Sequence, residues 1–151
     1  MNPLKKEALI PRIDGIKKDL DKLREYESRG LEAIKSDTDL YVLCQFYLRQ
    51  ALEGVFHVGE HLLSRLNGGR ATEYKEIAKK LGEAGIIDKQ FAETKLVAMA
   101  GYRNRLTHFY AEITPPEIYR ILHQDLGDFD IFLSSIKKVL TDPQTFGLTV
   151  E

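Results

Sequence analysis

The sequence predicts an all-α protein, and three observations lead to that fold class. Apolar residues recur at three- and four-residue steps through most of the chain. Residues that cap or break helices stand between those runs, and no stretch shows the strict alternation of a β-strand. The 151 residues suffice for one domain with a substantial core. Charged residues make up 30% and hydrophobic ones 43%, with no Trp, which fits a helix-rich globular chain and excludes disordered and fibrous classes.

The first helix is expected to begin near Ala8 to Pro11, where proline suits a first turn. Ile13, Ile16, Leu20 and Leu23 form its apolar stripe, and Lys17, Lys18, Asp19, Asp21 and Lys22 its polar face. The pattern runs to about Lys35, weakened at Gly30. Ser36-Asp37-Thr38-Asp39 then supplies a turn and an N-cap for a second helix, Leu40 to Leu66. That helix is apolar over a broad face, including Leu43, Cys44, Tyr47, Leu48, Val55 and Leu62, which Phe46, Leu52, Phe56 and Leu63 widen further. Such a helix is central, packed against several neighbours or across a subunit interface.

Asn67-Gly68-Gly69 ends it with residues able to take positive φ. Thr72 is a candidate cap for a short helix, Glu73 to Leu81, and Asp88 for a longer one from Lys89 through residues 103–110. Thr114-Pro115-Pro116-Glu117 opens a last long helix, with an acid near the positive end of its dipole. Asp142-Pro143 closes it. The expected architecture is one antiparallel bundle over residues 1–142, four main helices and one short one, followed by a tail over residues 143–151.

The formal net charge of −1 argues against a strongly basic nucleic-acid coat protein. Cys44 is the single cysteine and stands in an apolar run, which reads as buried packing without an intrachain disulfide. No signal-peptide pattern and no run near the ~20 apolar residues of a membrane span is seen, so a reducing cytoplasm is the expected setting.

Two stretches hold residues that can do chemistry. His57-Val58-Gly59-Glu60-His61 has the H-x-x-E-H spacing of one class of zinc peptidases, in which two histidines on one helical face ligate the metal and the glutamate activates water. No downstream acidic helix supplies a third ligand, and the plain alternative sets both histidines on the polar side of a central helix. Gly82-Glu83-Ala84-Gly85 lacks the strand and Gly-Lys-Ser/Thr of a phosphate loop and reads as a helix connection.

The second stretch, residues 103–110, gathers Arg103, Asn104, His108 and Tyr110: a cation, an amide, a proton carrier and a modifiable hydroxyl. On a continuous helix Arg103 and Tyr110 share a face. His108 would stand roughly 140° from Arg103, so the two converge only if the helix bends or ends, or if a second copy supplies one of them. The plain alternative is solvated arginines, a packed tyrosine and a helix-end imidazole favoured by the dipole.

The spacing Arg103-Asn104-x-x-x-His108-x-Tyr110 resembles the R-x-x-x-x-H-x-Y signature of HEPN-domain proteins, and more closely that of HepT-like toxins encoded beside a minimal nucleotidyltransferase (MNT) antitoxin. The resemblance implies a dimerising HEPN-like helical bundle that cleaves RNA without a metal or cofactor. It implies that Arg103 and His108 are the catalytic pair, with Asn104 orienting. One of the second helix's polar residues, Glu60, His61 or His57, would support the site. Tyr110 matches the tyrosine that the partner nucleotidyltransferase adenylylates. A catalytically silent HEPN module that binds nucleotide or scaffolds the partner enzyme is the competing reading, and a helical zinc hydrolase on His57, Glu60 and His61 a second.

Overall fold

The computed structural model describes residues 2–108 and 112–151. The fold is all-α, and among the described residues the one β feature is an isolated parallel bridge between Leu4 and Val150. The helices are α1 (Lys6–Ser28), α2 (Leu31–Ser36), α3 (Thr38–Leu63), α4 (Tyr74–Glu83), α5 (Lys89–Phe91), α6 (Val97–Thr107), α7 (Pro115–Gln124) and α8 (Leu126–Thr141). A π-helical stretch, Ala92–Leu96, joins α5 to α6 in one rod.

The central helix is α3, as its broad apolar face requires. It packs along α1 and also meets α2, α4, α6 and α7. Cys44, Leu48, Val55, Phe56 and Val58 are fully buried on it. Close approach to α1 depends on Gly54, where a Cβ would stand 2.7 Å from Cγ1 of Ile16. The expected caps are present: Asp37 of the Ser36-Asp37-Thr38-Asp39 cluster, Asp88 and Thr114 each accept a backbone N–H, from Leu40, Phe91 and Glu117 respectively.

The first helix differs from expectation at both ends. It starts at Lys6, so Pro11 lies beyond the first turn. The cause is tertiary: Leu4 and Lys6 donate backbone N–H groups to the carbonyls of Thr149 and Glu151, and Lys5 N–H bonds to Nε2 of His61. These contacts hold the chain in place ahead of the helix. At the other end Gly30 takes φ +87°, breaking the helix and leaving α2 as a separate turn.

The last helix is two. Asp125, at φ −109° and ψ −5°, lies outside ideal helical geometry and separates α7 from α8. The break lets α7 bury Ile118, Ile121 and Leu122 while α8 buries Phe129, Phe132 and Ile136. Thr72 is not the cap of α4, whose N-cap is Glu73 without a side-chain bond. The tail packs on the bundle: a 3-10 turn, Pro143–Phe146, leads to a buried Leu148 and the bridge at Val150.

Candidate active site

α6 ends inside the motif. Its last residue is Thr107, and His108 has an extended backbone (φ −105°, ψ 115°) with its N–H returned to the carbonyl of Asn104. His108 is thus the C-cap of α6, from which the chain leaves the helix, and it is exposed. Tyr110 lies outside the described residues.

Arg103 projects from α6 into a seat built by α3 and α4. Its guanidinium carbon stands 4.2 Å above the Tyr74 ring, a cation–π contact. Tyr74 in turn stacks on the buried Phe56, with centroids 5.0 Å apart and planes 15° from parallel. Oε1 of Glu53 is 3.7 Å from Nε, an ion-pair distance but too long for a hydrogen bond, so Nε is buried with no hydrogen-bond partner. Among the described residues the guanidinium's hydrogen bond to Oδ1 of Asn104 is long, 3.5 Å from Nη1, and a weak side-chain interaction reaches the Tyr74 hydroxyl. Burial raises the Tyr74 hydroxyl pKa, and Arg103 partly opposes that shift.

Arg105, two residues on, behaves differently. It donates to both carboxylate oxygens of Glu117, at 2.6 and 2.8 Å, and to the carbonyl of Glu112 at 3.2 Å. The pair raises the arginine pKa and lowers that of Glu117. Arg105 thus ties the end of α6 to the start of α7, and Tyr41 braces the same junction by donating to the carbonyl of Ile113.

The second-helix candidates separate. His61 accepts the backbone N–H of Lys5 at 3.2 Å. Burial first, then Arg65 and Arg12, lower its pKa and favour the neutral ring that such an acceptor requires. His57 faces α1, with Nδ1 2.8 Å from Nη1 of Arg12. Glu60 is exposed, near enough to Tyr74 to act on its titration. The structure brings Glu53, rather than Glu60 or His61, against Arg103. The three residues of the H-x-x-E-H stretch do not converge, and among the described residues no group of three or more His, Cys, Asp or Glu forms a ligand set.

Sequence reasoning missed Glu53 and Tyr74. Glu53 lies seven residues before Glu60, on the same helical face, and that spacing is the signal that could have found it. Tyr74 gave no signal beyond an apolar position at the start of a short helix. The described residues contain no helix long and apolar enough to cross a membrane.

Comparison with known proteins agrees with the all-α fold. A family model for HepT-like ribonucleases matches residues 16–136. A tRNA nuclease HepT of Aphanizomenon flos-aquae (strain 2012/KM1/D3) is 24% identical over 129 residues, covering 85% of this chain and 87% of the relative. Among solved structures, a tri-AMPylated HEPN toxin of Shewanella oneidensis in complex with an MNT antitoxin superposes with a TM-score of 0.79. Its identity is 22%, and the match covers 91% of this chain and 99% of that one. A toxin–antitoxin complex with AMP-PNP gives the same TM-score at 20% identity, covering 87% and 98%. The family match spans most of the chain and the helical architecture is shared, so this protein belongs to the HepT-like ribonuclease family.

Proposed function

We propose that the protein is a homodimeric, metal-independent endoribonuclease toxin that cleaves RNA with Arg103 and His108 and is silenced when an MNT-type nucleotidyltransferase adenylylates Tyr110. The observation that carries this reading is the contrast between the two arginines of the motif. Arg105 satisfies its donors on Glu117 and Glu112, as a structural arginine does. Arg103 is fixed by a ring face and a carboxylate at ion-pair distance, and among the described residues most of its hydrogen-bonding capacity is left unused. An arginine seated that way is oriented in advance for a phosphate, whose oxygens match the guanidinium fork.

The chemistry needs only proton transfer and charge stabilisation. The ribose 2′-oxygen attacks the adjacent phosphorus as its proton passes to an imidazole. The 5′-oxygen leaves as it receives a proton, giving a 2′,3′-cyclic phosphate and a 5′-hydroxyl end. His108 is the proton carrier, because an imidazole can accept a proton at one ring nitrogen and donate one from the other. Arg103 stabilises the charge that grows on the non-bridging oxygens. Asn104, in contact with Arg103, orients it. Nucleotide added at Tyr110, two residues from His108, brings negative charge and bulk to the same place, repelling and obstructing RNA.

The exposed apolar residues of α3 support a homodimer. Val42, Leu43 and Phe46 are 53%, 40% and 45% exposed, and they lie on the stripe that continues through Arg49 to Glu53. The stripe is self-complementary: acidic Asp39 precedes the apolar patch and basic Arg49 follows it. A two-fold axis crossing α3 near residue 44 sets Val42 against the partner's Phe46 and Asp39 against the partner's Arg49.

The test is cleavage of a defined RNA by unmodified protein in EDTA, with Arg103→Ala and His108→Ala alongside. Cleavage that survives chelation and is lost in both variants is expected. No cleavage by wild type, with Tyr110 shown unmodified by mass spectrometry, overturns the nuclease reading in favour of a silent binding module. Incubation with a cognate nucleotidyltransferase and ATP is expected to abolish cleavage by the wild type and to leave Tyr110→Phe active.

A further inference from the structure

The surface between α1 and α8 carries a groove that the proposed nuclease chemistry does not use. It encloses about 570 Å³, and its floor is aliphatic, formed by Ile10, Ile13, Leu133 and Leu140. Ile10 is 41% exposed there, beside the other aliphatic side chains of the floor. The rim is basic: Lys6 and Lys17 stand on the α1 wall and Lys137 on α8, with Ser134 and Thr141 beside them. No carboxylate lines the groove. None of the three lysines takes part in an ion pair among the described residues, so their charge faces the groove unneutralised.

We propose that this groove docks an acidic amphipathic helix of a partner protein. The apolar floor fits a row of aliphatic side chains at i, i+3, i+4 and i+7, and the lysines fit carboxylates on both flanks of that row. Spacing selects a helix over a smaller anion. Lys6 and Lys17 are eleven residues apart on one helix, about 16 Å at ~1.5 Å per residue, with Lys137 on the opposite wall. A single headgroup reaches one of these cations, whereas three turns of helix span all of them. The lining also argues against RNA, because it offers no aromatic ring for a base to stack on and no arginine fork for a phosphate. The groove shares no residue with the Arg103 site, so docking there leaves that site's chemistry untouched and gives a partner a foothold on a different face.

The experiment measures fluorescence anisotropy of labelled peptides with the full chain. One peptide is a helix with leucines at i, i+3, i+4 and i+7 flanked by glutamates; the other keeps the leucines and replaces each glutamate with lysine. A single-stranded RNA and oleate serve as competitors. Saturable binding of the acidic peptide is expected, weakened about tenfold or more by Lys17→Glu with Lys137→Glu and by rising salt. Ile10→Asp is expected to weaken it similarly, and the basic peptide to remain unbound. Circular dichroism and thermal melting of the variants check that the fold persists. Equal binding of both peptides, or no binding of the acidic one, overturns the proposal. So does displacement by RNA or oleate that the lysine reversals abolish, which would reassign the groove to a polyanion or an acyl chain. None of these outcomes depends on whether the protein cleaves RNA.

Discussion

The seat of Arg103 makes a prediction about Tyr74, a residue that touches no substrate in the proposed chemistry. Tyr74→Leu removes the ring face beneath the guanidinium while keeping an apolar side chain over Phe56. A cation–π contact contributes about 0.5–1 kcal/mol when exposed and about 2 when desolvated. The Arg103 side chain is 25% exposed, which places the contact near the upper part of that range, about 1–2 kcal/mol. If the contact serves to hold Arg103 where the phosphate charge develops, its loss appears in the transition state, as a fall in kcat/KM of roughly 5- to 30-fold. The assay is steady-state cleavage of a short fluorogenic RNA, with thermal melting to follow the lost packing and Tyr74→Phe as the conservative control. Phenylalanine keeps the ring and is expected to retain activity within about threefold. A folded Tyr74→Leu protein that cleaves at the wild-type rate would refute the reasoning. So would a Tyr74→Phe protein as impaired as Tyr74→Leu, since the hydroxyl and not the ring face would then be what matters.

Asp19 is 4% exposed, with Gln50 as its hydrogen-bond donor, and burial raises its pKa to about 6. The native state therefore favours the protonated acid: this contribution to stability is full below about pH 4 and is lost as pH rises through about 6. The shift corresponds to on the order of 3 kcal/mol, so Asp19→Asn is expected to raise Tm by several degrees at pH 7.5 and by almost nothing at pH 4; parallel melting curves for the two proteins across that range would contradict this. Arg105→Ala, which breaks the partly exposed bidentate pair with Glu117, is expected to cost about 1–2 kcal/mol of stability, lowering Tm while cleavage well below Tm persists. Arg103→Ala, which gives up the Tyr74 contact, is expected to lower Tm by a similar few degrees but, unlike Arg105→Ala, to abolish cleavage. Phe46→Asp is expected to shift the protein to monomer in sedimentation and to reduce cleavage, whereas Asp39→Arg with Arg49→Asp together restores the dimer that either reversal alone weakens.

The all-α class, the central place of α3 and three of the helix caps follow from local information, because apolar periodicity and cap chemistry act within a few residues of one another. Ser36-Asp37-Thr38-Asp39 could be read as a cap without knowing what α3 packs against. The motif from Arg103 to Tyr110 was legible for the same reason, and so was the condition that Arg103 and His108 converge only through a bend or end of their helix or through a second copy of the chain. What only the tertiary structure decided is set by contacts between distant residues. The start of α1 depends on pairing with the last residues of the chain, and its proline-based boundary was misplaced because that pairing is invisible locally. The break at Asp125 comes from the need to cover two parts of one core. Above all, the sequence marks Arg103 and Arg105 alike as arginines two positions apart. Their different fates, one saturated by Glu117 and the other poised over Tyr74 beside Glu53, are decided by which neighbours α3, α4 and α7 bring to them. A side chain's hydrogen-bond partners are a property of the packed fold, and no spacing rule along the chain contains them.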